Sequence, residues 1–202
     1  MITLDVIRHF GASPAAPIDI EDDIIPFLRD GGIRDDLWFW PVELDDSKLR
    51  GKLVHWEPWD YNDDWAHDYD RPRRVGDIYV SKSLEVPWQR VIACKELLHV
   101  LDPPTNRVAE AAEVERLVKR IVLPLGSELA ADYKTLTDTM GLYEALAVLF
   151  PWRVRENLMS AYLAEKLTAQ QIAEYVEIPL QYVYLVMSDI WPQVHGILCP
   201  PT

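Results

Sequence analysis

The segment RVIACKELLHVLDPP, residues 90–104, constrains the fold of this chain most strongly. It has the apolar pattern of a buried helix, contains three ionisable side chains, and ends in two prolines that cannot continue a helix. Because residues four apart share a helix face, Lys95 and His99 lie one turn apart, and Asp102 follows on the same stripe. The opposite seam, which we expect to face the core, consists of Val91, Cys94, Leu98 and Leu101.

The K-E-L-L-H sequence of residues 95–99 differs by one residue from the H-E-x-x-H pattern of helical zinc sites. In that pattern two imidazoles one turn apart bind zinc, and the glutamate between them is the general base for the metal-bound water. Glu96 and His99 match it. Lys95 does not, because an ammonium group has three donors and no lone pair for a metal. An isolated E-x-x-H also occurs on many helices whose charged residues form a solvated edge, so the surrounding sequence has to decide.

The predicted elements around this helix indicate an α+β protein. IEDDIIPFLRDGG predicts a short helix, and LWFWPVEL, KLRGKLVHWE and GDIYVSKSL predict strands, with DDSK as a turn between the first two. Helical patterns follow in RVAEAAEVERLVKRIVLP, DTMGLYEALAVLF, WRVRENLMSAYLAEKL, TAQQIAEYVEI and PLQYVYLVMSDIW. Thr168 and Gln171 form a capping box. We therefore predict a small antiparallel sheet packed on a central helix over residues 88–102, followed by a mostly helical C-terminal half.

The order of these segments resembles that of the ImmA/IrrE family, a group of bacterial and phage zinc peptidases. The resemblance covers roughly residues 75–190, and LTAQQIAEYVEIPLQYVYLVM is similar to the helical tail of the family. In the family, a strand and a polar turn lead into an A-H-E-x-x-H helix, and the Glu of E-x-x-x-F-A-x-x-L-L-M-P is the third metal ligand. EVERLVKRIVLP places Glu113 at that position, whereas MGLYEALAVLFP places Met140 there, and a thioether is not a plausible zinc ligand.

The resemblance implies a zincin-like α+β domain over residues 1–125 and a helical subdomain over residues 126–202 that ends in an irregular Pro-rich tail. It also implies a vestigial site in which Glu96 is the former general base and Lys95, His99 and Glu113 stand at the former metal positions. No metal or other cofactor is then expected. Lys95 is expected to place its ammonium near the vacant metal position and to pair with Glu113 or Asp102; the alternative is that it points to solvent.

Three functions follow as expectations. The first is a catalytically inactive pseudo-metallopeptidase that binds an unidentified protein as a regulator in bacteria or phage, since ImmA/IrrE relatives cut repressors. The second is an active zinc metallopeptidase, with Glu96 as base and with His99, Glu113 and either Asp102 or His67 as ligands. The third is a structural component of a phage or other assembly, with the Trp-rich first half as its interface. We expect the early tryptophans to pack in the core rather than to form such an interface; they are Trp38, Trp40, Trp56, Trp59, Trp65 and Trp88.

Charge and composition narrow the choice of partner. The net charge of −13 argues against binding a nucleic-acid backbone, and the second helix of the helix-turn-helix outline over residues 167–191 has no Lys or Arg. Two cysteines do not suggest a disulfide framework. Without a signal-peptide pattern or a long apolar run, a cytoplasmic protein that does not bind membranes is expected.

The Asp-rich loop of residues 57–74 lacks the residue spacing of an EF-hand calcium site and is interpreted as a solvated loop.

Overall fold

The computed structural model describes residues 1–45, 50–56, 75–101 and 133–200, with residues 133–138 described by their backbone alone. Within these ranges the protein is α+β with a helical C-terminal half, as predicted, and none of the helices is long and apolar enough to cross a membrane. The helices are α1 (Thr3–Gly11), α2 (Ile25–Asp30), α3 (Val86–Leu98), α4 (Tyr133–Leu149), α5 (Trp152–Leu163), α6 (Ala169–Val176), α7 (Leu180–Val186) and α8 (Trp191–Leu198). A π-helical turn (Ile20–Ile24) precedes α2, and a 3-10 turn (His99–Leu101) extends α3. The strands are β1 (Asp36–Val42), β2 (Gly51–Trp56) and β3 (Val75–Ser81).

The three strands form a mixed sheet in the order β1-β3-β2. β3 pairs with β2 antiparallel and with β1 parallel, so the prediction of a purely antiparallel sheet is wrong for one of the two pairings. The reason is that β2 reverses the direction of β1 but does not form a hairpin with it. β3 reverses direction again and inserts between them, which makes it parallel to β1. The central position suits β3, whose Ile78 is completely buried, whereas β1 carries Pro41, which an edge strand tolerates.

The sheet has a helix-facing inner side and an outer side, because successive side chains of a strand point to opposite faces. Phe39 and Leu53 lie opposite Ile78 in the two registers, and all three pack into the core. The outer side carries the alternate residues. Those with aromatic or acidic side chains are Asp36, Trp38 and Trp40 of β1, Trp56 of β2, and Asp77 and Tyr79 of β3.

The early tryptophans that the structure describes on the sheet are exposed, so the prediction that they pack in the core is wrong for them. Trp38 is 56% exposed, Trp40 46% and Trp56 38%. The buried carboxylate of Asp77 explains their position, since it accepts hydrogen bonds from the indole N–H of Trp40 (2.8 Å) and of Trp56 (2.7 Å). A carboxylate on the outer side of the central strand therefore holds both rings on that side. Trp88 is half-buried against Tyr182, and Trp59 and Trp65 lie outside the described residues.

The helical half is organised around α4, whose final residues 145–149 are completely buried, as is Phe150 directly after it. α4 contacts α1, α3 and α8.

The capping box at the start of α6 is confirmed, with Thr168 accepting from the backbone N–H of Gln171 (3.2 Å). α1 was not predicted. The expectation that the last ten residues are irregular is wrong for residues 193–198, which belong to α8. Pro192 does not break α8 because it stands in the first turn, where no backbone N–H is needed. The predicted boundary at residue 125 lies outside the described residues.

Arg90 ties α3 to the end of α6. Its guanidinium donates to the carbonyl oxygens of Val176 (2.8 Å) and Glu177 (3.0 Å), and also to that of Ile18 before the π-helical turn. The carbonyls of Val176 and Glu177 lie at the C-terminal end of α6 and have no partner within the helix, so the guanidinium satisfies groups that would otherwise need water. The contact holds the turn of the helix-turn-helix outline against α3.

Acid should weaken the packing of α8 through His195. The ring stacks on Trp152 at 4.6 Å. Burial lowers the pKa of His195, the positive charge of Arg155 lowers it further, and Glu156 acts in the opposite direction. Because the folded-state pKa lies below the ordinary value of about 6.5, the unfolded chain binds the proton first. The stability that the neutral ring of His195 contributes is therefore complete above about pH 6.5 and is lost as the pH falls through that value.

Urea unfolding of the wild type and His195→Phe at about pH 7.5 and about pH 5 measures this effect, since phenylalanine keeps the stacking and cannot titrate. The wild type should lose more free energy of unfolding between the two pH values than the variant loses. Equal losses would show that His195 does not contribute to the acid sensitivity.

Candidate functional site

Helix α3 begins with a proline in its first turn, as the fixed φ of proline favours, and His99 forms its C-cap in right-handed conformation (φ −63°, ψ −15°). The predicted core-facing seam is confirmed. The burial extends further than predicted, because every residue from 91 to 98 is buried. Lys95 and Glu96 are each only 5% exposed, although both belong to residue types that are almost never buried unless they are paired.

Lys95 and Glu96 pair with each other. The Nζ of Lys95 lies 2.8 Å from Oε1 of Glu96, a charge-assisted hydrogen bond between neighbours in the sequence. The alternative that Lys95 points to solvent is therefore wrong. The predicted partners Asp102 and Glu113 lie outside the described residues, and the expected contacts with them stay predictions. Both charges have left water, and their mutual attraction offsets part of the cost of that desolvation.

Two glycines border the charged segment of α3 from opposite sides. A Cβ atom on Gly141 of α4 would lie 3.2 Å from Cγ of Lys95, and 3.2 Å and 3.3 Å from Cε1 and Nε2 of His99. A Cβ atom on Gly51 of β2 would lie 3.2 Å from Cγ of Glu96. The three candidate residues of α3 therefore lie in a narrow slot between β2 and α4. We call this arrangement of Lys95, Glu96, His99, Gly51 and Gly141 the α3 slot.

The α3 slot bears on the position of the third metal ligand. Met140, one of the two residues that the family motif places there, precedes Gly141 directly and is half-buried against the core. α4 therefore passes beside the imidazole of His99, as the register through Met140 requires. The competing register through Glu113 falls outside the described residues and is not tested.

Sequence reasoning missed Gly51, Gly141 and Glu144 as residues of this region. Burial raises the pKa of the Cys94 thiol to about 12; the nearby Arg90 acts to lower it, and the nearby Glu144 to raise it. Cys94 therefore remains a thiol at neutral pH. One signal for Gly141 was present in the sequence, since glycine inside a strong helical pattern is unfavourable and suggests a packing reason.

The chemistry of the described part of the α3 slot is limited. His99 offers an imidazole and Glu96 a carboxylate that is already paired with an ammonium, whereas a catalytic zinc needs about three protein ligands and an open position. Among the described residues there is no group of three His, Cys, Asp or Glu side chains that could hold a metal ion. The remaining candidate ligands, Asp102, Glu113 and His67, belong to segments outside the description.

Comparison with known proteins does not assign the chain to a family: no family model matches it, and no curated protein matches it. The resemblance to ImmA/IrrE therefore depends on the segments quoted from residues 75–190 and on the site residues among them.

Replacing Gly51 with alanine should open the α3 slot and lower the free energy of unfolding by about 1–3 kcal/mol. The added Cβ would lie only 2.3 Å from Cγ2 of Ile92, in addition to its contact with Glu96, and the buried helix has little room to move. Urea unfolding measures the loss. Gly196→Ala is the matched control, because nothing lies within 4 Å of its Cβ position in α8, and helix propensity predicts a small gain there. Equal effects of the two substitutions would mean that β2 does not press on α3.

Proposed function

We propose that this chain is a catalytically inactive, ImmA/IrrE-like pseudo-metallopeptidase that acts by binding a protein, as a regulator in bacteria or phage. The observation that carries the proposal is the buried ion pair between Lys95 and Glu96. A cation without a lone pair occupies the position of the first zinc histidine, and it neutralises the carboxylate that would act as general base.

The Lys95 ammonium also explains how such a helix remains stable without zinc. A carboxylate buried among apolar residues needs a compensating positive charge, which zinc supplies in an active peptidase of this type. In this chain the ammonium supplies that charge from the adjacent residue. Glu96 therefore has a structural role as the partner of Lys95.

A binding role is supported by the outer side of the sheet. Trp38, Trp40 and Trp56 are large and exposed, and Asp77 holds the last two in place. Aromatic residues of this kind are enriched in the energetically important parts of protein interfaces. This exposure favours a protein that acts through a surface over one that acts only through the α3 slot.

Restoring a metal site tests the proposed descent from a zincin. We expect Lys95→His/Met140→Glu to gain stoichiometric zinc, measured by calorimetric titration, because it supplies an imidazole one turn before His99 and a carboxylate at one of the two candidate third positions. Lys82→His/Met140→Glu is the matched control, since Lys82 is an exposed lysine in the turn after β3 and precedes Lys95 by thirteen residues. Failure of the first variant to bind more zinc than the control would contradict the proposed descent.

A further inference from the structure

The outer edge of β1 presents backbone groups that are not used by the sheet. The carbonyl of Val42 accepts from the backbone N–H of Lys82 (2.8 Å), which shows that Val42 directs its backbone groups towards the β3 side. Alternate residues of a parallel strand direct their N–H and C=O groups to the same side. The residues between them, Leu37, Phe39 and Pro41, therefore direct theirs to the free edge.

Within the part of the chain that the structure describes, these edge groups are available for pairing with another strand. No hydrogen bond there reaches the outward N–H or C=O groups of Leu37 or Phe39. Pro41 has no N–H, so the edge offers two donors and three acceptors. A row of this kind is the template to which an extended peptide adds as another strand.

A pocket of about 250 Å³ lies on the inner side of this edge, between β1, α3 and the π-helical turn. It is large enough for one big apolar side chain, and Val86 at the start of α3 is 71% exposed. Its lining includes Ile20, Glu21, Phe39, Val80, Val86 and Ala93. Most of this lining is apolar. Its charged members are the acidic Glu21 and Arg90, whose guanidinium donates to the carbonyl oxygens of Val176 and Glu177.

The outer side of the same edge carries two stacked indoles. The rings of Trp38 and Trp40 lie 6.5 Å apart at an interplanar angle of 28°. Their exposed faces attract cations through the negative charge of the π-system, more strongly than other aromatic rings do. A strand added beside β1 would thus alternate between an apolar pocket on one side and an indole surface on the other.

We propose that the free edge of β1 binds an extended segment of a partner protein in which basic and apolar residues alternate. The open edge requires an extended backbone, the pocket takes the apolar side chains, and the indoles take the Lys or Arg side chains. The net charge of −13 favours a basic segment and disfavours a second copy of this chain, which carries the same charge. β1 and β2 are opposite edges of the sheet, so this site does not depend on whether the α3 slot is vestigial.

The probe is a blocked, fluorescent peptide of about seven residues, the length of β1, that alternates arginine and leucine. Its control has the same composition with the arginines grouped together. Fluorescence polarisation should show that the alternating peptide binds about ten-fold more tightly than the grouped one. Equal affinities would overturn the proposal, because charge alone would then explain binding.

Two protein variants place the peptide at the edge. Val86→Lys puts a cation at the mouth of the pocket, and Phe39→Pro removes an outward N–H without breaking the ladder to β3. Each should weaken binding about ten-fold, whereas Leu163→Lys, the same change of charge at a residue 72% exposed on α5, should not. If Phe39→Pro does not fold, the comparison of peptide binding by Val86→Lys and by Leu163→Lys decides whether the peptide binds at this edge. Equal binding of the peptide by those two variants overturns the proposal. A dimer of the free chain that Val86→Lys abolishes also overturns it, because the edge would then bind a second copy of this chain.

Discussion

Replacing Lys95 with methionine should lower the free energy of unfolding by about 3–5 kcal/mol, the usual cost of leaving one member of a buried ion pair without its partner. Methionine has nearly the shape of lysine, so the packing of α3 is kept and only the cation is removed. Glu96 then remains 5% exposed, without the ammonium that lies 2.8 Å away in the wild type. Urea unfolding at neutral pH measures the change.

A double substitution separates the charge from the packing. Lys95→Met/Glu96→Leu removes both charges, and replacement of a buried pair by apolar residues is often neutral or stabilising. We therefore expect it to recover most of the stability that Lys95→Met loses. Lys82→Met is the surface control, since its ion pair with Glu43 is exposed and should contribute less than about 1 kcal/mol. If Lys95→Met costs no more than this control, the ion pair does not hold the site together.

Replacing Arg155 with leucine should cost about 2–4 kcal/mol, the second-largest effect that the structure predicts. Arg155 is buried on α5, and its Nε donates to the carbonyl oxygen of Val186 at 2.6 Å. A second N–H donates to the carbonyl of Ser188 at 3.1 Å, and the guanidinium lies 5.0 Å from the ring of Trp152. Leucine leaves the buried carbonyl of Val186 and the partly buried carbonyl of Ser188 without this donor.

Arg153 provides the matched control, because it lies two residues earlier on the same helix and is exposed. Arg153→Leu should change the free energy of unfolding by no more than about 0.5 kcal/mol. Arg155→Lys should recover only part of the loss, since an ammonium cannot reproduce the fork of the guanidinium. Similar losses for Arg153→Leu and Arg155→Leu would show that the contacts at the end of α7 are not important for stability.

The sequence was sufficient to predict α3 and its buried seam because helical periodicity is a local property of the chain. The ion pair was not predictable in the same way, since neighbouring residues on a helix do not face each other, and pairs are expected at a spacing of three or four. Lys95 and Glu96 pair because β2 and α4 close around them at Gly51 and Gly141. Those contacts are distant in sequence.

The sheet shows a second limit of local patterns. Nearly every residue of LWFWPV is large and apolar, so alternation does not say which side of β1 faces the core. Asp77 on β3 decides it by accepting hydrogen bonds from the indoles of Trp40 and Trp56, and the order of the strands is needed to see this. The parallel pairing of β1 with β3 likewise depends on which strand inserts between the other two.

The zinc content of the wild-type protein, purified without a histidine tag and measured by elemental analysis, tests the central claim most directly. The account predicts no zinc above the level of the buffer, because an ammonium paired with Glu96 stands where a peptidase of this type has its first imidazole. Stoichiometric zinc that is lost in His99→Ala would contradict it, since His99 would then belong to a working metal site.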